Sequence, residues 1–514
     1  MDVSEIKHYF GFVWPRSSIS PAVISTAKNA GSSVIFDVSN ENLSDFTKQL
    51  MKYNASARVV DIKIPPALLA SPELPSVLAD TPIGHVWVEL GPLDTADTLY
   101  DMTRASEALS ETIDIIPVVS SLETVFHIID DMSMLGSLAI KGNEAGGFVG
   151  AETTLSLLCA ARTRLKKVER PLDVFVWGAV GTPEAAAGLL IMGVKGIVFE
   201  TLHWLTDLPG LNPDLRDRIR KLRPEHTEIV GAGLGAPVRL FNKGNSVIVK
   251  RLKALSHRLL AEGSPDQARR AFVAEMTRCA VPLKKSALGP EEAVPLGVET
   301  AFAQQFAERF GEETGAAVRY FLEAAYESYT RALLSPDSLK NSPAAKHLGV
   351  RYPIIQGAMS WITDEPLFAK AVAEAGALPT IALGVLDPTT VEEKLGNLHE
   401  IMQGRPFAVN IVTLPDNPYR DFHFDWVLKT KPSFVVIAAG DPSHAPRFLQ
   451  EGIEVIYVTP NLELMKLAFD LGVKFVVCEG NEAGGHVGAN STLTLAQMIV
   501  GLRRASPQLF EGKT

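Results

Sequence analysis

The sequence has few cysteines, no excess of basic charge and no long hydrophobic run. Its three cysteines, Cys159, Cys279 and Cys478, are too widely spaced for a disulfide framework or a paired-cysteine metal site, and they predict a reducing, cytoplasmic location. Lys and Arg number 49 against 59 Asp and Glu, which argues against nucleic acid or an anionic membrane as a partner. The most apolar stretch, residues 185–199, is interrupted by Lys195 and is too short to span a bilayer.

The composition is typical of a globular protein with a large core. Hydrophobic residues make up 46% of the 514 residues and charged residues 21%, which excludes a disordered or fibrous chain. The first residues, MDVSEIKHYFGFVWP, contain acidic side chains and an early proline where a signal peptide needs a basic flank and an apolar run. We therefore expect no signal peptide, and small molecules as substrates.

An internal repeat indicates that a whole domain was duplicated. The segment KGNEAGGFVGAETTLSLL (residues 141–158) returns as EGNEAGGHVGANSTLTLA (residues 479–496), with 12 of 18 positions identical at an offset of 338. This offset is far longer than the period of a solenoid repeat, which is about 20–50 residues. The sequence therefore predicts two related domains.

Around the first copy, eight strand-like runs alternate with helix-length segments. The runs are FGFVWP, SSVIFDV, ARVVDIKI, HVWVELG, DIIPVVS, SLAIKG, DVFVWG and GIVFET. Eight such units predict a complete parallel (β/α)8 TIM barrel over residues 1–245. The alternative is an open doubly wound sheet, which uses the same alternation of strands and helices.

Residues 246–346 have a helical pattern alone, so we expect a helical connector. Phe302, Phe306 and Phe310 recur every four residues there, as on one face of a packed helix. The second copy occupies residues 347–514 and shows six strand-like runs before the sequence stops. Because a barrel of eight strands cannot close with six, we expect an incomplete, C-terminally truncated second TIM barrel and a longer natural protein.

Three motifs of the second copy resemble a known family. PIIQGAMSWITD, PFAVNIV and EGNEAGGHVG are similar to motifs of the nitronate monooxygenase (2-nitropropane dioxygenase-like) family, which are FMN-dependent TIM-barrel enzymes. The flavin-dependent enoyl reductases of fatty-acid and polyketide assembly share the pattern. The resemblance covers residues 349–505 strongly and residues 8–245 weakly. Tandem copies also resemble the amino-terminal part of polyketide-type synthases, so downstream synthase domains are expected partners.

The resemblance implies FMN as the cofactor and His486 as the catalytic residue. A histidine titrates near neutral pH, so it can take a proton from a nitroalkane or give one to an enoyl thioester. Two adjacent glycines would let the backbone approach a flat ring. Glu479 stands where relatives often carry glutamine, and a carboxylate there would repel a reduced flavin. The residues expected to contact the flavin are Gln356, Gly357, Met359, Asn410, Glu479, Gly480, Gly484 and Gly485.

Some of these residues have a structural alternative. The Gln356–Gly357 pair is also typical of a turn, Met359 of a core position, and Asn410 of a strand-end cap. In the first copy, Phe148 stands at the position of His486 and cannot transfer a proton. That copy is therefore expected to be degenerate, either as a non-catalytic structural or docking module or as a nucleotide-binding barrel.

A phosphate site is the remaining prediction for the first copy. Gly178, Gly181 and Thr182 open a helix whose amino-terminal amides would hold a phosphate, at a place where TIM barrels commonly do so. The alternative is a tight turn between strand and helix. Neither copy contains a zinc, calcium or nucleophile-elbow motif.

The function predicted from these observations is that of an FMN-dependent oxidoreductase of the nitronate monooxygenase type. Its substrate would be a nitroalkane or nitronate, with His486 as the general base. The alternative is a reductase of enoyl thioesters that takes electrons from NAD(P)H within a polyketide or fatty-acid synthase.

Overall fold

A computed structural model of the chain shows two compact units, residues 1–331 and 332–514, which are described separately below. Within them, the residues that the structure describes are 8–15, 18–39, 42–53, 60–79, 81–109, 113–208, 211–244, 246–262, 264–280, 289–333, 339–485 and 487–513.

The first unit contains a closed barrel of eight parallel strands. In chain order its first nine strands are β1 (Tyr9–Pro15), β2 (Ser33–Asp37), β3 (Val60–Ile64), β4 (Ile83–Glu89), β5 (Asp114–Val119), β6 (Ser137–Ile140), β7 (Gly147–Phe148), β8 (Asp173–Trp177) and β9 (Gly196–Phe199). All except β7 belong to the barrel, which closes where β1 pairs with both β2 and β9. The eight strands are those predicted from the sequence, so the first TIM barrel is confirmed.

Eight helices of this unit lie between or just after the barrel strands. They are α1 (Pro21–Ala30), α2 (Leu43–Tyr53), α3 (Leu74–Leu78), α4 (Ala96–Ala108), α5 (Leu122–Asp131), α6 (Thr154–Val168), α7 (Pro183–Ile191) and α8 (Pro213–Arg220). Ser121, Thr153 and Thr182 cap α5, α6 and α7, since each hydroxyl oxygen accepts a backbone N–H of the first turn. The barrel interior is filled by a cluster of apolar side chains that includes Trp87, Phe175 and Trp177.

The first unit continues past the barrel. Its later elements are β10 (Thr227–Val230), β11 (Val238–Phe241), α9 (Val247–Glu262), α10 (Pro265–Cys279), α11 (Ala303–Phe310) and α12 (Thr314–Leu333). Strands β10, β11 and β7 form a small antiparallel sheet in that order. Phe302 and Phe306 are buried, as the helical spacing predicted, and Phe321 packs edge-on against Phe199 of β9. The compact unit thus extends beyond residue 245, and the domain boundaries at 245 and 346 stay predictions.

The second unit alternates helices and strands. Its elements are α13 (Pro343–Leu348), α14 (Pro366–Ala375), β12 (Thr380–Ala382), α15 (Pro388–Leu395), α16 (Leu398–Met402), β13 (Ala408–Val412), α17 (Arg420–Thr430), β14 (Phe434–Ala438), α18 (Ala445–Leu449), β15 (Glu454–Thr459), α19 (Leu462–Asp470), β16 (Phe475–Cys478) and α20 (Thr492–Ala505). Among the residues that the structure describes there are also six short 3-10 helices: Pro66–Leu68, Pro224–His226, Ala232–Leu234, Val298–Phe302, Pro442–His444 and Pro507–Phe510.

The second sheet is parallel and open in the part of the chain that the structure describes. Its five strands follow one another in the order β12, β13, β14, β15, β16. The expectation of six strands is wrong for these residues, because the predicted first strand reduces to a bridge between Ile355 and Leu378. Pro353 has no N–H, and the segment is paired on one side only. A second closed barrel is therefore not confirmed.

None of the helices in the described ranges combines the length and the apolar character that crossing a membrane requires.

Candidate functional site

The repeated motif forms the same kind of loop in both units. We name residues 141–150 the first glycine loop and residues 479–488 the second glycine loop. Each follows a four-residue strand, β6 or β16, and each leads into a long helix, α6 or α20. Both loops thus lie at the carboxyl end of a parallel strand, where α/β proteins place their ligands.

A glutamate ties each loop to the start of the helix that follows it. In the first loop, Glu144 Oε2 accepts hydrogen bonds from Thr154 N and Thr154 Oγ1, both at 2.9 Å. In the second loop, Glu482 Oε2 accepts from Thr492 N at 2.8 Å and from Thr492 Oγ1 at 2.9 Å. A carboxylate at a helix amino terminus also interacts favourably with the helix dipole. The two copies therefore share one hydrogen-bonded scaffold.

The first glycine of each loop is required by packing. A β-carbon built on Gly142 would lie 2.2 Å from Thr154 N, and one built on Gly480 would lie 2.1 Å from Thr492 N. Gly480 was predicted to contact the cofactor, but this close approach of the helix is sufficient reason for a glycine there. Gly484 and Gly485 differ, because a β-carbon on either would have no atom of the other described residues within 4 Å, adjacent residues aside.

The two loops differ in exposure. Residues 141–145 of the first loop are buried, whereas residues 482–485 and 487 of the second are exposed. His486, predicted to be catalytic, lies outside the described residues. It directly follows Gly485, whose φ of +84° is a left-handed conformation that favours glycine.

The first loop is covered by segments of its own unit. Val298 N donates to Glu144 O at 2.8 Å, and a β-carbon on Gly146 would lie 2.8 Å from Gly297 N. Phe148, at the position of His486, lies in β7, pairs with Val238 of β11 and packs against the cluster that β11 helps to form. The first loop is therefore built into the fold.

The mouth of the first barrel contains a network of charged side chains around the buried Lys141, the others being partly buried. The Lys141 ammonium forms ion pairs with Glu89 and, at 3.9 Å, with Glu200. Lys63 pairs with Glu89 and, at 3.2 Å, with Asp37. Although burial alone would raise it, the pKa of Glu89 falls to about 2 because Lys141 and Lys63 are close. Lys141 is only 2% exposed, so this network fills the end of the barrel where TIM-barrel ligands enter.

Two further glutamates join the mouth to the rest of the unit. Glu200 accepts Trp177 Nε1–H at 2.9 Å and Gly146 N–H at 3.0 Å. The Oε1 atom of Glu299 accepts Thr201 N–H at 2.7 Å and Leu202 N–H at 2.8 Å. Burial and the nearby Glu200 raise the pKa of Glu299 to about 8, so this carboxyl is mostly protonated at neutral pH.

Two of the predicted flavin-contacting side chains, Gln356 and Asn410, form hydrogen bonds with backbone groups. Gln356 Oε1 accepts Thr380 N–H at 3.0 Å, and Gln356 Nε2 donates to Gly357 O. Met359 is exposed rather than part of a core. Asn410 lies in the middle of β13, and its Nδ2 donates to Val436 O at 3.0 Å. Its amide group therefore links two strands.

The predicted phosphate site of the first unit is occupied by protein. A β-carbon on Gly181 would lie 2.3 Å from the Phe302 ring, so the aromatic side chain packs directly on this glycine. A β-carbon on Gly178 would lie 3.0 Å from the carboxylate oxygen of Glu200, which would repel a phosphate. Thr182 caps α7 through its hydroxyl.

Sequence reasoning missed the charged network of the first barrel. The clue in the sequence was a charged residue at or near the end of five predicted strands, in IFDV, DIKI, VELG, AIKG and VFET. A charged side chain at the carboxyl end of a barrel strand points to the mouth, where catalytic residues of TIM barrels are found.

Part of the second unit matches a family model, and the chain is similar to known proteins. Residues 341–424 match the family model for nitronate monooxygenase. Probable nitronate monooxygenases of Staphylococcus saprophyticus and Bacillus subtilis are 26% identical over 200 and 196 residues, which is 32% of this chain. The chain spans 56% of the length of these relatives. The (3aS,4S,5R,7aS)-5-hydroxy-7a-methyl-1-oxo-octahydro-1H-indene-4-carboxyl-CoA dehydrogenase of Rhodococcus jostii is 26% identical over 155 residues, covering 30% of this chain and 42% of its own length.

Two solved structures are similar to part of the chain. FabK from Thermotoga maritima has a TM-score of 0.48 and 16% identity, with 66% of this chain and 97% of that chain covered. The enoyl reductase domain of MlnA from Bacillus amyloliquefaciens has a TM-score of 0.48 and 11% identity, with 65% and 98% covered. On the sequence matches, the predicted resemblance to the nitronate monooxygenase family is confirmed.

Proposed function

We propose that the chain is an FMN-dependent oxidoreductase of the nitronate monooxygenase type whose site is the second glycine loop. The observation that carries the proposal is the exposure of this loop, on a scaffold shared with the buried first loop. Residues 341–424, which match the nitronate monooxygenase model, lie in the same unit as this loop, and the match supports the proposal.

The open backbone of the second glycine loop fits a flat cofactor. Among the described residues, and apart from the adjacent residues of the chain, no atom lies within 4 Å of a β-carbon built on Gly484 or Gly485, so these residues leave room for a planar ring beside the peptide groups. Gln356, oriented by its bond to Thr380 N, can still donate its second amide proton. The exposed thioether of Met359 offers an apolar contact. These residues would hold FMN, which would supply the hydride or electron transfer when bound.

His486 is the residue we assign to proton transfer. It follows Gly485 in the sequence, and an imidazole changes its protonation near neutral pH. With a nitroalkane, the neutral ring would take the proton from the carbon beside the nitro group. Glu482 and Thr492 would keep the loop in place, because their two hydrogen bonds fix it to the start of α20.

A reductase of acyl thioesters is the second candidate function. It is favoured by one specific observation, since the Rhodococcus jostii relative is named for a carboxyl-CoA compound. On such a substrate, His486 would give a proton to the carbon beside the thioester, and NAD(P)H would be the electron donor. The two candidates use the same loop and differ in substrate.

Flavin binding tests the proposal with a matched pair of variants. Gly147 and Gly485 are equivalent in the repeat and have φ of +75° and +84°. Valine strains either position similarly, but only Gly485→Val should weaken FMN binding, measured by quenching of flavin fluorescence. Equal effects of the two variants, or no FMN binding by the full chain, would contradict the proposal.

Turnover distinguishes the substrates. Oxygen uptake with a nitroalkane supports the first candidate, and NAD(P)H oxidation that depends on an enoyl thioester supports the second. His486→Ala should retain FMN and lose the activity that is found. Unchanged turnover would remove His486 from the mechanism.

A further inference from the structure

We propose that His85 is a pH-sensitive switch at the amino-terminal end of the first barrel. Its protonated imidazole holds together the carboxyl groups of the two neighbouring strands, and loss of the proton destabilises that end of the barrel. The inference rests on polar side chains of the first unit and does not depend on the proposed chemistry.

Polar side chains collect at the amino-terminal ends of the barrel strands. We name five of them the amino-end cluster: Tyr9 of β1, Asp61 of β3, His85 of β4, Asp114 of β5 and Ser137 of β6. The catalytic residues of TIM barrels lie at the opposite, carboxyl-terminal end. The cluster is therefore distinct from the charged network at the mouth.

Asp61 holds the imidazole of His85 in place. Its Oδ1 atom accepts the backbone N–H of His85 at 2.9 Å and lies 3.0 Å from His85 Nδ1. Its Oδ2 atom accepts the hydroxyl of Tyr9. The pairing of β3 with β4 shifts register between Val60 and Ile62, beside this site, and such irregularities often redirect a side chain. The contact between Asp61 and His85 is thus built into the backbone.

A second carboxyl group approaches His85 from the other side. β4 lies between β3 and β5, and Asp114 is the partner of His85 in the register of β4 with β5. Asp114 Oδ2 accepts the hydroxyl of Ser137 at 2.8 Å, which fixes this carboxyl group. The side chain of His85 is 32% exposed, so protons from the solvent can reach the ring. A positive charge on His85 therefore links β3, β4 and β5.

The surroundings of His85 favour its charged form. Burial lowers the pKa of His85, but the hydrogen bond to Asp61 and the charges of Asp61 and Asp114 outweigh burial and raise the pKa above 6.5. The folded unit then holds a proton that the unfolded chain releases above pH 6.5. This stabilisation is complete below pH 6.5 and is lost as pH rises through the pKa of the folded state.

The other groups around the ring act on the switch in known directions. Burial and Asp61 raise the pKa of Tyr9 well above 10, so its hydroxyl stays neutral where His85 titrates. Burial raises the pKa of Asp114 above 3.8, and the negative charge of Asp173 adds to this effect, whereas Ser137 and His85 oppose it. Asp173 itself forms an ion pair with Lys195 at 3.3 Å.

Substitution of His85 by asparagine tests the switch in the chain of residues 1–514. The asparagine amide can still donate to Asp61 but cannot become charged. In urea unfolding, the parent should exceed His85→Asn in stability by more at pH 6 than at pH 9. The ratio of the two unfolding constants should change about tenfold for each unit by which the pKa of His85 exceeds 6.5. Glu299 titrates equally in both proteins and cancels.

His127→Asn is the matched control. His127 Nδ1 lies 2.8 Å from Asp131 on α5, where the carboxylate is 61% exposed, and such surface pairs contribute little. Its effect on stability should therefore be nearly the same at pH 6 and pH 9. An equal pH dependence of the two variants, or no pH dependence of His85→Asn, overturns the proposal.

NMR of ¹⁵N-labelled histidines follows the proton itself. The signal that is lost in His85→Asn identifies His85, and His85→Gln gives the same assignment where His85→Asn does not fold. Its titration midpoint should lie above pH 6.5. Asp114→Asn keeps an oxygen for Ser137 but removes the charge, so it should lower that midpoint. A parent midpoint at or below 6.5, or an unchanged midpoint in Asp114→Asn, shows that His85 is not the switch.

Discussion

Replacing Glu299 by glutamine should stabilise the first unit at neutral pH. Glu299 is fully buried, and its pKa is raised from 4.5 to about 8 by burial and by Glu200. Glutamine keeps an Oε1 atom that can accept Thr201 N–H and Leu202 N–H, and its amide imitates the protonated carboxyl. The substitution therefore removes a titration and keeps the contacts.

The size of the effect follows from the difference between the two pKa values. Between pH 4.5 and 8 the folded unit binds a proton at Glu299 that the unfolded chain releases, so stability falls as pH rises. One pKa unit corresponds to about 1.4 kcal/mol, so the fall is about 1.4 kcal/mol per pH unit and reaches about 3 kcal/mol at pH 7. Above pH 8 both states have lost the proton and the difference stays constant. Glu299→Gln has no such slope.

Urea unfolding followed by tryptophan fluorescence between pH 5 and pH 9 measures this difference. Trp14, Trp87, Trp177 and Trp204 all lie in the first unit. The advantage of Glu299→Gln over the parent should grow from less than about 1 kcal/mol at pH 5 to a plateau above pH 8. The exposed Glu308→Gln on α11 is the control and should show no such growth. A constant difference across the range would refute the assigned protonation of Glu299.

Three other substitutions test the packing of the loops and the charged mouth. Gly480→Ala puts a β-carbon 2.1 Å from Thr492 N and should lower the free energy of unfolding of the second unit by about 2 kcal/mol, whereas Gly484→Ala meets no atom within 4 Å and should change it by less than about 0.5 kcal/mol. Chemical unfolding of both variants checks this, and equal losses would contradict it. Lys141→Met removes one of the two ammonium groups that pair with the partly buried carboxylate of Glu89, and because Lys63 remains it should cost the first unit about 2–3 kcal/mol. A loss below about 1 kcal/mol in the same assay would show that the ion pair is not needed.

The barrel of the first unit was predictable because its information is local. Each of its eight strands is a short β-branched or aromatic run followed by a helix-length segment, and burial on both faces keeps these runs apolar. The first strand of the second unit was predicted by the same rule and is reduced to a bridge at Ile355. A segment with strand propensity forms a strand only where a neighbouring strand pairs with it. The amino-acid composition of the segment does not show whether such a neighbour is present.

The sequence was sufficient to locate the motif of the candidate site, but not to predict which residues surround it. The repeat located both glycine loops and the tandem glycines at 484 and 485. Whether a loop is buried depends on segments more than 80 residues away, such as Gly297 and Val238, which approach the first loop only in the folded unit. The ion pairs of Lys141 likewise join strand ends that are distant in sequence, so a list of charged residues cannot show which of them meet.

Comparison of the two glycine loops distinguishes the features of the motif that serve folding from those that could serve ligand binding. The glutamate bonds to Thr154 and Thr492 are the same within 0.1 Å, so the loop needs them in a covered and in an uncovered setting. What differs is the position after the tandem glycines. Phenylalanine there extends a small sheet and packs in a core, which suits a buried loop, whereas histidine is a polar, titratable residue that suits an exposed one. The difference in burial and the difference in residue type therefore agree, as the function proposed for the second unit requires.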